Sequence, residues 1–266
     1  MSELPADAER AAYRERLDVF LASRDAGQAL TVAALRAGIR LKALIGAASK
    51  TADYADEALA IVNEQYHPRL DCKKGCSHCC CKPGVLVTQP EFFRILAYIG
   101  STTNPTGAPA LVERSRRYAS QLEGRRFDDL TNELVPCPLL VDGTCTVYEV
   151  RPLVCRGYNS TDVDACQTAV TDAATPVPIF AVLKDVTDGA TVGVAQGLRT
   201  LGANSALLDL GTALNLALSG GEDFSAGVVA GSRALAPAEN ATFVENLWAG
   251  VCETARQVDV AIESAP

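Results

Sequence analysis

The chain has 266 residues, of which 48% are hydrophobic, so it can build one large domain or two modest ones without covalent cross-links. Its formal net charge of −8 and its pI near 4.9 argue against a nucleic-acid-binding protein, because a phosphate-binding face needs clustered Lys and Arg. The N-terminus lacks the apolar segment of a secretory peptide, and no run approaches the roughly 18 apolar residues of a membrane span, so we expect a soluble, cytoplasmic protein with no membrane partner.

Helical spacing dominates the sequence before the first cysteines. Apolar side chains recur every three or four positions between Leu30 and Ile45, and a second stripe begins at Leu59, Ile61 and Val62. The pattern predicts two or three helices in this region.

Two further helices are predicted after the first cysteines. A capping box begins the first one, with Thr88 as the N-cap and Glu91 as the third helical residue, and we expect this helix to end at Gly100. The second is predicted from Leu111 to Glu123, after a loop at 101–108 that is rich in Thr, Asn, Pro and Gly.

The segment 134–158 differs from its surroundings, because it is dense in Pro, Gly, Asp and Cys. We expect irregular chain there, folded around a bound metal that supplies the missing core. From Pro176 onward the composition predicts three or four helices, the last from about Pro237 to Glu263. The predicted fold is therefore mainly α, with few or no short strands. An N-terminal helical region (1–70), a cysteine-rich metal-binding module (71–170) and a C-terminal helical region (171–266) would pack as one compact unit.

Nine of the ten cysteines lie between Cys72 and Cys166, and five of them occupy one stretch of ten residues. In a protein without an export signal, this density indicates thiolates held for a metal. If the stretch were a helix, Cys72, Cys76, Cys79 and Cys80 would project from one side and Cys81 from the other. The alternative is a Cys-x-x-Cys turn at Cys76 and Cys79 with backbone amides directed at sulfur.

A second set of cysteines is spread more widely along the chain, at Cys137, Cys145 and Cys155, each beside a turn-forming residue, with Cys166 further on. Thiolates are soft ligands that suit zinc, copper(I) and iron–sulfur clusters. Eight thiolates are enough for two Cys₄ zinc sites, or for one cubane with four left over. The predicted metal ligands are Cys72, Cys76, Cys79, Cys80, Cys137, Cys145, Cys155 and Cys166.

The adjacent pair Cys79-Cys80 gives a criterion for choosing between zinc and an iron–sulfur cluster. Successive side chains diverge, so two neighbouring cysteines rarely bind one small tetrahedral ion, although they can serve two different metals. A cubane is wider and gives such a pair more geometric room. This argument favours a [4Fe–4S] cluster over zinc.

Other residues near the motif have both a structural and a functional interpretation. We interpret Cys252 as a core residue of a helix that also carries Trp248, whereas Cys81 is either a wall residue or a reactive thiol beside the metal. His78 is an alternative nitrogen ligand, but the thiolates suffice without it.

The aromatic and basic residues beside the second cysteine set are treated in the same way. Arg151 and Arg156 either offset the negative charge of a thiolate site and bond to nearby carbonyls, which we favour, or bind a substrate anion. Tyr148 is interpreted as a packing residue with a hydrogen-bonded hydroxyl rather than an acid–base group.

Two separated motifs in this order, with their non-cysteine residues, resemble the YkgJ-type cysteine-cluster proteins, described as zinc- or iron-chelating domains. The first motif is Cys72-x3-Cys76-x2-Cys79-Cys80, and the second is Pro136-Cys137-Pro-Leu-Leu-Val-Asp-Gly-Thr-Cys145-Thr-Val-Tyr148-Glu-Val-Arg151-Pro152-Leu-Val-Cys155-Arg156. The resemblance covers Cys72 to about Cys166 and implies metal binding more firmly than any reaction. A relative, the flagellin lysine N-methylase, carries such a motif and is thought to hold a [4Fe–4S] cluster.

Three hypotheses follow for the function. The first is a cytoplasmic metalloprotein whose multi-cysteine site binds an iron–sulfur cluster or zinc. The second is an enzyme, modifying or redox, in which that centre acts on a small-molecule or protein substrate. The third is a non-catalytic zinc module that presents its C-terminal helices to a protein partner.

Overall fold

The structure of the protein is a computed structural model, which describes residues 7–102, 107–125, 127–130, 132–240 and 243–257. Two long helices, α1 (Asp7–Leu35) and α2 (Leu41–Tyr66), precede the first cysteines, as predicted. Helices α3 to α10 follow at Gln89–Thr102, Ala108–Leu122, Leu153–Gly157, Val163–Thr171, Ala181–Thr200, Leu210–Ser219, Phe224–Val229 and Phe243–Gln257. The predicted mainly α fold is therefore confirmed.

Short strands join distant parts of the chain in two small antiparallel sheets. In one sheet β4 (Leu207–Asp209) lies between β1 (Leu86–Val87) and β5 (Glu239–Asn240). The other is a hairpin of β2 (Leu140–Val141) and β3 (Thr144–Cys145), inside the segment that was predicted to be irregular. Its two turn residues, Asp142 and Gly143, have φ values of 49° and 71°, as the tightest hairpin turns require.

Helices α1 and α7 pack closely against each other, and this is the most extensive contact between two elements of the described structure. Gly189, Gly193 and Gly197 repeat every fourth residue on α7, and a methyl group at any of them would overlap α1. Gly27 on α1 contacts the Ala190 backbone in the same way. Residues without a Cβ let the two helix backbones approach more closely than ordinary side chains allow. This contact fixes the position of α7, against which α5 packs.

The capping box of α3 is present as predicted. The Thr88 amide and hydroxyl both donate to Glu91 Oε2 at 2.8 Å, and the Glu91 amide lies 3.4 Å from Thr88 Oγ1. Phe92 and Phe93 of the same helix are fully buried in the largest apolar cluster. The helix thus has one end fixed by polar contacts and one face fixed by the core.

Three helices have ends that differ from the sequence prediction, and one of them is α4, which spans Ala108–Leu122 rather than Leu111 to Glu123. Helix α3 continues past Gly100 to Thr102, whose hydroxyl donates to the Tyr98 carbonyl at 2.7 Å. The last helix begins at Phe243 rather than near Pro237, because a 3-10 turn and β5 intervene and the Asn240 side chain accepts from the Phe243 amide at 3.0 Å. The loop residues 103–106 and the predicted end of the last helix lie outside the described residues.

No helix in the described ranges is both long and apolar enough to cross a membrane.

Candidate metal centre

The first cysteine stretch folds as turns and a short 3-10 helix, so the α-helical alternative is wrong. Gly75 has a φ of 92°, which is outside the helical region, and the Cys76 amide donates to the Lys73 carbonyl at 2.9 Å. A 3-10 helix then spans His78–Cys81. A 3-10 helix has three residues per turn, so the spacing that would align Cys72, Cys76, Cys79 and Cys80 on one α-helical face does not apply here.

The second motif pairs with the first through the backbone. The Cys137 amide donates to the Cys80 carbonyl at 2.8 Å, and the Val135 amide donates to the Cys81 carbonyl at 3.1 Å. Segments more than fifty residues apart in the sequence thereby lie side by side. The β2–β3 hairpin follows immediately and carries Cys145 on β3.

Glu91, a residue predicted only as a helix cap, positions the segment that carries Cys155. Its Oε2 closes the capping box, while its Oε1 accepts the Leu153 amide at 2.8 Å. Leu153 is the first residue of α5, and Cys155 lies two residues later on this five-residue helix. One buried carboxylate therefore joins the start of α3 to the start of α5.

Helix α6, which carries Cys166, is anchored to the first motif at its N-terminus. Asp71 accepts the Val163 amide at 3.2 Å through Oδ2, and its own amide donates to the Ser160 carbonyl at 3.0 Å. The Ser160 amide in turn donates to Cys72 Sγ at 3.1 Å. A backbone amide directed at a sulfur stabilises the thiolate form, as metal-bound cysteines require.

Cys79 interacts electrostatically with the three cysteines of the second motif, and we call this group and its neighbours the cysteine neighbourhood. Burial raises the pKa of Cys137 to about 12 and raises the pKa of Cys145 and Cys155, and the charge of Cys79 acts in the same direction on all three. The pKa of Cys79 itself is raised, first by its hydrogen bond with Cys80 and then by burial. The metal-free thiols of Cys79, Cys137, Cys145 and Cys155 are thus protonated at neutral pH, and cysteines of both motifs interact with one another.

Backbone hydrogen bonds oppose this effect at Cys137 and Cys145, as they also do at Cys79. Bonds from Leu139 to Cys137 and from Val147 to Cys145 lower the pKa of the two thiols. In both cases the partner lies two residues further along the chain. This arrangement, which the sequence analysis expected at Cys76 and Cys79, suits a thiolate that binds a metal.

Cys72 and Cys166 complete the neighbourhood. Burial raises the pKa of Cys72, and the charges of Cys76, Cys166 and Cys79 add to the increase. Burial likewise raises the pKa of Tyr158, with contributions from Cys79, Cys166 and Cys72. All eight predicted ligands therefore lie in one region, although sequence reasoning missed Tyr158 as part of it.

Among the described residues, no group of three His, Cys, Asp or Glu side chains already has the arrangement that a single ion needs. All ten cysteines are free thiols. The donor set nevertheless fits a thiolate-bound group, because backbone amides already point at the sulfurs of Cys72, Cys137 and Cys145. Binding would require proton loss and rearrangement of the cysteine side chains.

The cysteine neighbourhood opens onto a pocket of about 270 Å³. Cys79 and Cys155, the two most exposed cysteines, both line it. Protein atoms crowd Cys155 enough to raise its pKa, yet its side chain still reaches the pocket surface. His78 also lines this pocket. Solvent and small molecules can therefore reach part of the cysteine cluster.

Arg156 is buried beside the site and is fully hydrogen-bonded within the protein. Its guanidinium donates to the Arg151 carbonyl at 3.0 Å, to the Glu149 carbonyl at 3.5 Å and to Asp56 at 2.5 Å. Only 3% of its side chain is exposed. This geometry leaves Arg156 as a structural cation that joins α5 to α2.

The Tyr148 ring of the second motif lies close to two cationic side chains. The Arg151 guanidinium lies 4.3 Å and the Lys74 ammonium 5.1 Å from the ring centroid. Lys74 also pairs with Glu149 at 2.9 Å. These contacts hold the turn after Cys72 against the second motif.

Cys81 and Cys252 are not among the residues that line the pocket. Cys81 Sγ is 3.6 Å from the Ser77 carbonyl, and burial raises its pKa. Cys252 packs in a separate cluster with Phe20 and Trp248 on α10, as predicted for a core residue.

Comparison with known proteins supports the metal interpretation. Residues 71–174 match the model of the family CxxCxxCC, whose description is "Putative zinc- or iron-chelating domain". The match includes both cysteine motifs and helix α6. No curated protein and no solved structure matches the chain significantly.

Proposed function

We propose that this protein is a metalloprotein that binds a [4Fe–4S] cluster or, as the alternative, zinc. The backbone pairing of Cys137 with Cys80 carries the proposal, because it brings the two halves of the motif together. The family match to a zinc- or iron-chelating domain supports the same chemistry. The proposed ligands are Cys72, Cys76, Cys79, Cys80, Cys137, Cys145, Cys155 and Cys166.

The adjacent pair Cys79-Cys80 favours the cluster over a single zinc ion. Neighbouring residues leave the backbone in different directions, so two adjacent cysteines rarely both bind one small tetrahedral ion. An iron–sulfur cube is wider and can receive sulfurs from diverging directions. A bound cluster would supply electron transfer or an open iron for a substrate, whereas zinc would supply a cross-link. A cytoplasmic location, which keeps thiols reduced, is part of the proposal.

Metal analysis tests the proposal directly. The full chain is purified without oxygen, and its iron, sulfide and zinc are measured per chain together with its visible spectrum. A single cubane predicts about four irons, about four sulfides and a broad absorption band. Zinc alone, found reproducibly, would replace the cluster with the zinc alternative, and a protein that binds neither would refute the proposal.

A matched pair of variants tests which cysteines bind the metal. Cys137→Ser removes a proposed ligand, so we expect at least half of the bound metal to be lost. Cys252→Ser changes a thiol in the separate core cluster, and its metal content should equal that of the wild type. Equal metal content in the two variants would contradict the role of Cys137.

An enzyme is the second candidate, and the pocket is the observation that favours it. Two exposed sulfurs at its wall leave one side of the proposed centre accessible to a substrate. A ligand-dependent change in the visible spectrum of the loaded protein would support this function. An unchanged spectrum with all soft ligands would favour a closed site.

A further inference from the structure

The lining of the pocket beside the cysteine neighbourhood includes two chemically different groups of residues. Its sulfur wall carries the exposed Cys79 and Cys155. Its aliphatic wall comes from three separate parts of the chain: Val85 before β1, Ala169 on α6 and Val177 before α7. These three residues are only partly buried, so the protein itself leaves this apolar surface in contact with the pocket.

Helix α6 contributes residues to the lining of the pocket and little to the protein core. None of its residues is buried, and the element it packs against most is the 3-10 helix of the first motif. It is held by its capped N-terminus, where Asp162 accepts the Ala165 amide at 2.9 Å. Its apolar residues Ala169 and Val170 therefore line the pocket without being buried in the core.

Size and wall chemistry together limit the ligand. With a volume of about 270 Å³, the pocket suits a compact ligand. The aliphatic wall selects a hydrocarbon chain, since burying each CH₂ contributes about 0.8 kcal/mol. The sulfur wall, with a soft metal bound, selects a soft donor atom.

We propose that this pocket binds a short-chain aliphatic thiol, with its chain on the valine and alanine wall and its sulfur toward Cys79 and Cys155. The preference of the pocket for a ligand with a sulfur atom depends on the proposed metal centre, whereas its preference for a hydrocarbon chain depends only on the aliphatic wall. A short-chain thiol bound here would be a ligand or a substrate of the metal centre.

Calorimetric titration of the full-length, metal-analysed protein with 1-butanethiol and 1-butanol tests the proposal. Both ligands share the four-carbon chain, and only one has a soft donor. We expect the thiol to bind at least about tenfold more tightly. Metal remaining in the protein is measured after each titration. Equal affinities would overturn the thiol preference, and no binding of either ligand would overturn the whole inference.

Variants of α6 locate the binding site. Ala169→Trp fills the pocket and should weaken thiol binding at least about tenfold, while Gln167→Trp places the same side chain on the exposed face of the same helix and should leave binding unchanged. Val177→Phe, on a different segment, should also weaken binding if Ala169→Trp disturbs the helix. Unchanged binding in both pocket variants would refute this location. If wild-type protein holds metal but binds no thiol, the inference fails alone; if it holds no metal, the proposed function fails.

Discussion

Replacing Glu91 tests whether one buried carboxylate supports both a helix and the cysteine site. Glu91 accepts from the Thr88 amide and from the Leu153 amide, each at 2.8 Å, and it is 8% exposed. In Glu91→Ala the capping interaction is lost, which costs about 1 kcal/mol. The Leu153 amide is left unpaired in the interior, which costs about 1–3 kcal/mol more. We therefore expect the free energy of unfolding to fall by about 2–4 kcal/mol.

Glu91→Gln separates the two contacts. The amide keeps one acceptor oxygen but presents an NH₂ group to the second backbone donor, so one bond survives and the loss should be about 1–2 kcal/mol. Glu113→Ala is the matched control, because Glu113 lies exposed on α4 and pairs only with Arg116 at 3.0 Å. Its effect should stay within about 0.5 kcal/mol.

Urea denaturation followed by circular dichroism measures the three variants, and metal content is measured in the same samples. Because Leu153 begins the helix that carries Cys155, we expect Glu91→Ala also to lower the metal bound per chain. If Glu91→Ala is no less stable than Glu113→Ala, the reasoning about this carboxylate is wrong. If stability falls but metal content does not, Glu91 supports the fold and not the site.

Two other predictions concern the helices that hold the site. Gly193→Ala inserts a methyl group into the α1–α7 contact and should destabilise the protein by more than about 1 kcal/mol. Gly46 on α2 has open space around it, so Gly46→Ala should stabilise the protein by about 0.5–1 kcal/mol. Equal effects of the two substitutions in urea denaturation would refute the packing argument. The Tyr66 hydroxyl donates to Glu15, which raises the pKa of Tyr66 to about 12, so this bond stabilises the fold below pH 10 and is lost as the pH rises to about 12. Tyr66→Phe should remove that part of the alkaline stability loss, and identical pH profiles for variant and wild type would contradict it.

Much of the fold could be predicted from local sequence. The helical spacing before Cys72 and the capping box at Thr88 depend on neighbouring residues, and the structure confirms both. One exception is Ile61, which was assigned to an apolar stripe and is 63% exposed, because periodicity alone does not show which face of α2 meets another element. The α1–α7 contact was missed, although the repeat of Gly189, Gly193 and Gly197 is a visible signal for close helix packing.

The sequence by itself determined that this chain is mainly helical and that its cysteines fall into two separated motifs, since composition, periodicity and spacing are local properties. Only the tertiary structure decided how the motifs meet. The pairing of Cys137 with Cys80, the contact of Glu91 with Leu153 and the pocket beside Cys155 join residues far apart in the chain. No periodic pattern encodes such contacts, because they depend on how the elements pack around one another.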